Sequence, residues 1–265
     1  MSSKSKTTVF LLFFIIPFFI YIHNLSRSVY GGDVGDLVTA ASVFGVAHPP
    51  GYPLFTLLGF LLTKLPLGQT QAFLVGLISS LSAALGIAIF YLLILRLTKN
   101  ALVSAISAFI LAFSYLYWFY AEIAEVFALN NFFAILLFYL SISYRQTAKV
   151  RYLYLFFLSL GLSLTNHQTI IFIFPSLLIL IFINFIKLIK KRPKTLILCL
   201  ISFLLGFSIY LYVPIASSHN PVINWDNVKD FPSFWRLLLR QDYGTFSAGL
   251  FLQPTLLQRL VILKT

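Results

Sequence analysis

The sequence predicts an all-α, polytopic bundle of transmembrane helices, and its composition is the first reason. Of 265 residues, 60% are hydrophobic and only 10% are charged, whereas soluble domains carry roughly 25% charged residues. Several apolar runs also approach the ~20 residues that cross a bilayer. A net charge of +12 would suggest nucleic acid on a soluble protein, but the apolar content excludes that partner. The single Cys199 excludes a disulfide scaffold.

Seven spans are predicted along the chain. They cover roughly residues 9–25, 71–95, 101–119, 126–144, 152–165, 169–187 and 195–213. The first lacks a small-residue cleavage site, so we interpret it as a retained anchor. The fifth is short and ends in a polar run, which favours a protein-lined cavity over a simple loop. An apolar run begins again at Leu256, so we expect residues 1–265 to be one module at the N-terminal part of a longer protein.

The charges predict an orientation with the N-terminus in the cytoplasm. The inner loops then carry twelve cations and no acid, and the outer segments carry seven cations. This distribution agrees with the excess of Lys and Arg that cytoplasmic loops show. All seven acids fall on the outer side: Asp33, Asp36, Glu122, Glu125, Asp226, Asp230 and Asp242. Carboxylate chemistry is therefore expected at the outer face.

The first outer loop, residues 26–70, contains the first candidate site. Its apolar spacing predicts short surface helices over 37–45 and 54–65, separated by the proline-rich stretch 48–53. Asp33 is either a turn residue or a base that takes a proton from a hydroxyl nucleophile. Asp36 is either a helix N-cap or a second such base. His48 is either a satisfied interfacial histidine, or a phosphate contact or proton relay.

Two further outer segments carry polar side chains beside apolar runs. Glu122 and Glu125 are three residues apart and would share one face if the segment is helical. Two carboxylates this close to hydrocarbon are costly unless they are hydrated or paired, although a solvated loop is the simpler interpretation. Asn166 and His167 either form a short outer loop or line a cavity, and the short preceding span favours the cavity.

The last outer stretch carries a possible phosphate contact. Arg236 and Arg240 are four residues apart on a predicted surface helix, and such a pair could bind a phosphate, whether of a substrate or of lipid headgroups. The sequence contains no P-loop, GxGxxG, HExxH or Ser-elbow motif. An activated donor would therefore be lipid-linked rather than a nucleotide sugar.

The outer motifs together resemble the transmembrane O-mannosyltransferase family, which includes an endoplasmic-reticulum enzyme and bacterial relatives. The similarity lies in Asp33-Val34-Gly35-Asp36-Leu37, in residues 46–55 around His48-Pro49-Pro50-Gly51-Tyr52-Pro53, and in later motifs in the same order. Those later motifs begin at Glu122, Leu164 and Asn220. The chain has Val34-Gly35-Asp36 where the family usually has Ser-Gly-Glu.

The resemblance implies the fold and site of the GT-C glycosyltransferases, polytopic enzymes that use polyprenyl-phosphate sugars. It implies that Asp33 is the general base, with Asp36 beside it as a second catalytic acid. His48 is expected to face the lipid phosphate, as the corresponding cation does in aminoarabinose transferases. The expected substrate-binding residues are His48, Tyr52, Glu122, Glu125, Asn166, His167, Arg236 and Arg240.

The hypothesis is therefore a membrane glycosyltransferase that moves a sugar, with mannose expected, from a polyprenyl phosphate to a protein, glycan or lipid hydroxyl. A transporter or lipid flippase is the first alternative, although its acids should lie along the spans. A catalytically inactive subunit that binds the lipid donor is the second. A bacterial plasma membrane is favoured over the endoplasmic reticulum. Two nearby Asp residues could hold a divalent cation, but no further ligands are visible.

Overall fold

The computed structural model describes residues 3–244, and within them the chain is helical, with no strand. The α-helices are α1 (Ser3–Asn24), α2 (Val34–Ser42), α3 (Pro53–Thr63), α4 (Gln71–Thr98), α5 (Ala101–Ala112), α6 (Tyr115–Ala121), α7 (Val126–Thr147), α8 (Val150–Asn166), α9 (Phe174–Lys191), α10 (Lys194–Phe207), α11 (Tyr212–Ser218) and α12 (Phe231–Leu238). Short 3₁₀ turns cover Gln168–Ile173, Ser208–Leu211, Trp225–Asn227 and Gln241–Tyr243. The predicted all-α membrane bundle is thus confirmed.

Five segments of the described chain are long and apolar enough to cross a membrane, against the seven spans predicted. They are Thr7–Asn24, Gln71–Thr98, Val126–Thr147, Gln168–Lys191 and Lys194–Ser218. The predicted span 101–119 is instead two helices, α5 and α6, bent by 64° at residues 113–114. Counted as one broken span, this pair makes six. The predicted fifth span is α8, whose 17 residues reach only about 25 Å, less than the ~30 Å hydrocarbon core.

The two short helices predicted in the first outer loop are present as α2 and α3. Helix α2 begins at Val34, three residues before the predicted start, and Asp33 occupies its N-cap position without a side-chain cap bond. The interpretation of Asp36 as the N-cap is therefore wrong, because Asp36 lies inside the first turn. Helix α3 begins at Pro53, a position where the missing N–H of proline costs nothing.

Close helix packing depends on small residues. Gly161 of α8 and Gly206 of α10 face each other, and a Cβ on either would meet the backbone of the partner helix. Small residues at such crossings let membrane helices approach until their backbones touch. Ala41 of α2 likewise lies against Gly59 of α3, where a Cβ would come within 2.8 Å of the Ala41 methyl group. A Cβ on Gly59 would also come within 3.3 Å of the Val75 side chain of α4, so this glycine lets the first outer loop pack against the bundle.

At the end of the bundle that holds the acids, the helices are linked by hydrogen bonds to backbone carbonyls. The Ser26 amide donates to Glu122 O at 2.9 Å, Ser79 Oγ donates to Glu125 O at 3.1 Å, and Asn166 Nδ2 donates to Val126 O at 3.1 Å. We call this end of the bundle the acidic end, because all the acids of residues 3–244 lie in its loops or first turns. The α4–α5, α7–α8 and α9–α10 connections form the opposite, basic end.

Candidate active site at the acidic end

The centre of the candidate site is a carboxylate–imidazole pair. His48 Nδ1 lies 2.7 Å from Asp36 Oδ2, and the backbone N–H of His48 donates to the same oxygen at 2.9 Å. Burial raises the pKa of Asp36, but hydrogen bonds from His48 and Trp225 outweigh it and bring the pKa below its usual value. Asp36 is thus held ionised, and its bond to Nδ1 fixes the orientation of the imidazole.

A residue distant in sequence completes this pair. Trp225 Nε1 donates to Asp36 Oδ1 at 2.9 Å. The indole is brought there by a short parallel bridge in which the Val46 amide donates to Ile223 O at 3.0 Å and the Trp225 amide donates to Val46 O at 3.2 Å. With Trp225 in place, both oxygens of Asp36 accept hydrogen bonds. Asp36 is therefore occupied in orienting its neighbours.

Asp33 lies on the other side of the imidazole and is open to solvent. Its side chain is 60% exposed, and its Oδ2 is 3.5 Å from His48 Nε2. The Tyr52 hydroxyl is 3.1 Å from the same nitrogen. In neutral His48 the proton is on Nδ1, which donates to Asp36, so Nε2 accepts a hydrogen bond from the Tyr52 hydroxyl. In the imidazolium state Nε2 also carries a proton and donates towards Asp33. Asp33 is thus the carboxylate with a free face for a substrate.

Glu125 is close to Asp33 but is buried. The residue is 5% exposed, and its Oε2 has no hydrogen-bond partner among residues 3–244. Its Oε1 lies beside Gly32, 3.6 Å from the position that a Cβ on that glycine would take. Burial first, and then the charge of Asp33, raise the pKa of Glu125 to about 7. The prediction of a direct substrate contact by Glu125 has no open surface to support it.

An aromatic wall continues from Tyr52. The His167 ring stacks on Tyr52 with centroids 5.8 Å apart and packs against Phe127 at 5.5 Å. Burial, and then the nearby Arg240, lower the pKa of His167 to about 4, so the ring is neutral at physiological pH. The adjacent Asn166, which was also predicted to bind substrate, is fully buried, and its side chain donates to the Val126 carbonyl at the start of α7.

The two predicted arginines do not form a pair on one helix. Helix α12 ends at Leu238, and Arg240 has a left-handed backbone with φ of 53°. The positive charge of Arg240 is close enough to contribute to the pKa values of both Tyr52 and His167, lowering each. Arg240 therefore belongs to the site. Arg236 is exposed and its charge acts on Asp226 and Asp230 instead.

Glu122 also lies apart from the site. Residues 122–125 are not helical, so Glu122 and Glu125 do not share a helical face. Glu122 hydrogen-bonds with Asn24 and Trp118, and burial raises its pKa. It is therefore an anchor between α1 and α6.

Two residues were missed as site members by the sequence interpretation. Trp225 lies in the motif that begins at Asn220, which was the available signal. Tyr243 packs its ring 6.4 Å from His48 without any sequence signal. Within residues 3–244, no group of three or more His, Cys, Asp or Glu side chains is arranged to hold a metal ion. The oxygens of Asp36 are engaged by nitrogen donors, so the Asp33–Asp36 pair does not fit a cation site.

Fold and site together define a polytopic membrane protein whose carboxylate–histidine cluster lies at one end of its helix bundle. The family model described as the protein O-mannosyl-transferase TMEM260 N-terminal domain matches residues 33–191. The chain belongs to this family, since the match covers more than half of it and includes Asp33, Asp36 and His48. The resemblance inferred from the motifs is thereby confirmed.

Two curated relatives are each similar over about half of the chain. The protein O-mannosyl-transferase tmem260 of Dictyostelium discoideum is 37% identical over 145 residues, which are 54% of this chain and 18% of the relative. The TMEM260 protein of Mus musculus is 39% identical over 133 residues, 50% of this chain and 19% of the relative. The aligned part thus spans about a fifth of each relative. No solved structure matches the chain.

Proposed function

We propose that the acidic end of this bundle is the sugar-transfer centre of a protein O-mannosyltransferase of the GT-C type. The donor is a mannose on a polyprenyl phosphate, and the acceptor is a Ser or Thr hydroxyl of a protein. The observation that carries the proposal is that two neighbouring aspartates have different hydrogen-bond partners and different exposure to solvent. One is engaged by three donors, and the other presents a free carboxylate 3.5 Å from the same imidazole.

The proposed reaction is a single displacement. Asp33 takes the proton of the acceptor hydroxyl as its oxygen attacks the anomeric carbon. The bond between that carbon and the phosphate oxygen breaks, and the phosphate leaves with the electron pair. His48 and Arg240 balance the charge that develops on the leaving phosphate, as oriented donors do in other transfer reactions. Asp36 and Trp225 hold the imidazole in place throughout.

The membrane setting follows from the same proposal. The donor's polyprenyl chain is expected in the leaflet at the acidic end, which we propose is extracytoplasmic, with the N-terminus in the cytoplasm. The curated relatives are eukaryotic, which does not support the bacterial membrane expected from the sequence. We therefore propose the lumenal side of an internal eukaryotic membrane.

The test is transfer of labelled mannose from polyprenyl-phosphate mannose to an acceptor protein by the full-length protein in membranes. Asp33→Asn should lower the rate about 10²–10⁴-fold through loss of the base. Asp36→Asn should lower it about 10²-fold, because the imidazole is misplaced. Asp230→Asn is the matched control, since Asp230 caps α12 away from the site and Asn caps equally well.

Each alternative gives a different result in the same preparation. Full activity of the double variant Asp33→Asn with Asp36→Asn would refute the mechanism. Transport of the lipid by reconstituted protein without sugar transfer would favour the transporter or flippase. Donor binding by the full-length protein without turnover would favour the inactive donor-binding subunit.

A further inference from the structure

We infer that Glu125 is a positioning residue: its buried carboxyl group supports the backbone of the loop that carries Asp33, and so aims the catalytic carboxylate. This inference rests on the proposed function of Asp33. It replaces the expected substrate contact of Glu125 with an indirect role. The argument depends on the anchoring of Glu125, on its contact with the loop and on its one unused oxygen.

Glu125 is anchored independently of Asp33. Ser79 of α4, itself fully buried, donates its hydroxyl to Glu125 O at 3.1 Å and lies 3.4 Å from the Glu125 amide. Glu125 also occupies the N-cap position of α7. Two long helices of the bundle therefore hold its backbone, which makes it a rigid support for a more exposed neighbour.

The carboxyl group of Glu125 meets the loop at its most restricted point. Gly32 has φ of +74°, a conformation that side chains rarely adopt, and Oε1 of Glu125 lies beside it. The backbone N–H groups of Asp33 and Val126 both act on the carboxyl group as hydrogen-bond donors. Glu125 thus contacts the backbone directly before the first turn of α2, where the direction of the Asp33 side chain is set.

The second oxygen of the carboxyl group supports a role beyond stability. A buried polar atom without a partner destabilises the fold, and Oε2 has no hydrogen-bond partner among residues 3–244. The pKa of this carboxyl group is influenced by the charges of Asp33 and His48 and by hydrogen bonds from the Asp33 and Val126 amides. The charge of Glu125 in turn raises the pKa of Tyr52. Burial and Asp33 raise its pKa to about 7, so its charge beside the base varies over the physiological range.

The experiment compares Glu125→Gln with Glu125→Ala in the full-length protein. Gln keeps the size and one acceptor oxygen, whereas Ala removes the support. We expect Glu125→Ala to lower kcat about 10²-fold with little change in the KM for the donor, and Glu125→Gln to stay within about tenfold of wild type. Ionisation of Glu125 should strengthen Asp33 as a base, so the wild-type kcat should rise through pH 7 and the Gln variant should lack this rise.

A second readout does not depend on the reaction. Hydrogen–deuterium exchange of a peptide covering residues 30–36 should be faster in Glu125→Ala than in wild type, and close to wild type in Glu125→Gln. Folding of each variant is checked by its thermal transition. Unchanged exchange and unchanged kcat in a folded Glu125→Ala protein would overturn the inference. A wild type without transfer activity, but with this exchange pattern, would instead refute the proposed function and leave the support of the loop established.

Discussion

Replacing Trp225 by Phe tests the central pair of the site with a minimal change. Phe keeps an aromatic ring near His48 but removes the Nε1–H that donates to Asp36 at 2.9 Å. A hydrogen bond to a charged group contributes about 1.5–3 kcal/mol. Trp225 is 39% exposed, so water replaces the lost donor in part. We therefore expect a loss of about 1 kcal/mol, equivalent to about fivefold in rate or in an equilibrium constant.

The pH dependence of this loss follows from the pKa of Asp36. The bonds from His48 and Trp225 lower that pKa, so their stabilisation is complete above the unfolded value of about 3.9. It is lost as the pH falls through the lower, folded value. The assay is thermal unfolding of the solubilised full-length protein from pH 8 to pH 3. The difference between wild type and Trp225→Phe should be constant above about pH 5 and should shrink towards pH 3.

Trp235→Phe is the matched control, because Trp235 is also 39% exposed but packs on Phe231 and Phe234. It should leave the mannose-transfer rate unchanged, whereas Trp225→Phe should lower it about fivefold. An equal effect of the two substitutions on the rate would refute the reasoning. So would a stability difference for Trp225→Phe that becomes larger as the pH falls.

Three other substitutions have expected outcomes. Asn166→Ala should lower the free energy of unfolding by about 2 kcal/mol, because a buried carbonyl loses its donor; a loss below about 0.5 kcal/mol in chemical denaturation would contradict this. Gly161→Ala should lower the free energy of unfolding by about 1–3 kcal/mol, because the added Cβ forces α8 away from α10. Gly31→Ala, where the Cβ would meet open space, should have little effect. Equal melting curves for the two variants would count against the packing argument. Arg240→Gln should raise the donor KM about tenfold, more than Arg236→Gln does, and the reverse order in steady-state kinetics would show that the wrong arginine has been placed at the phosphate.

Local patterns predicted much of the fold. Apolar run length predicted the membrane helices, and the prolines and spacing of the first outer loop predicted α2 and α3 to within three residues. The errors arose where tertiary packing decided the outcome. The bend between α5 and α6 lies in a run without charged residues, interrupted only by single serines, so hydropathy alone gave no clear signal for it. Helix α8 is too short for a span, and it packs against α7 and α10 within the bundle.

The candidate site was predicted only in part, because some of its residues are close in sequence and others are brought together by tertiary packing. Asp33, Asp36, His48 and Tyr52 lie within twenty residues of one another, and one compact motif was enough to group them. Glu122 and Glu125 looked equivalent in sequence, yet they contact different helices, because the segment between α6 and α7 is not helical. Arg236 and Arg240 diverge because α12 ends between them.

The sequence by itself determined the membrane environment of this protein and the end of the bundle at which its acids lie. Apolar length and the order of the charges along the chain are properties of the sequence that no packing can change. Only the tertiary structure decided what each acid does. Asp36 is held by Trp225, 189 residues away, Glu125 is buried beside α4, and Asp33 remains exposed next to His48. The reason is physical: the ionisation and reach of a carboxylate depend on the donors and the water around it, and residues distant in sequence supply both.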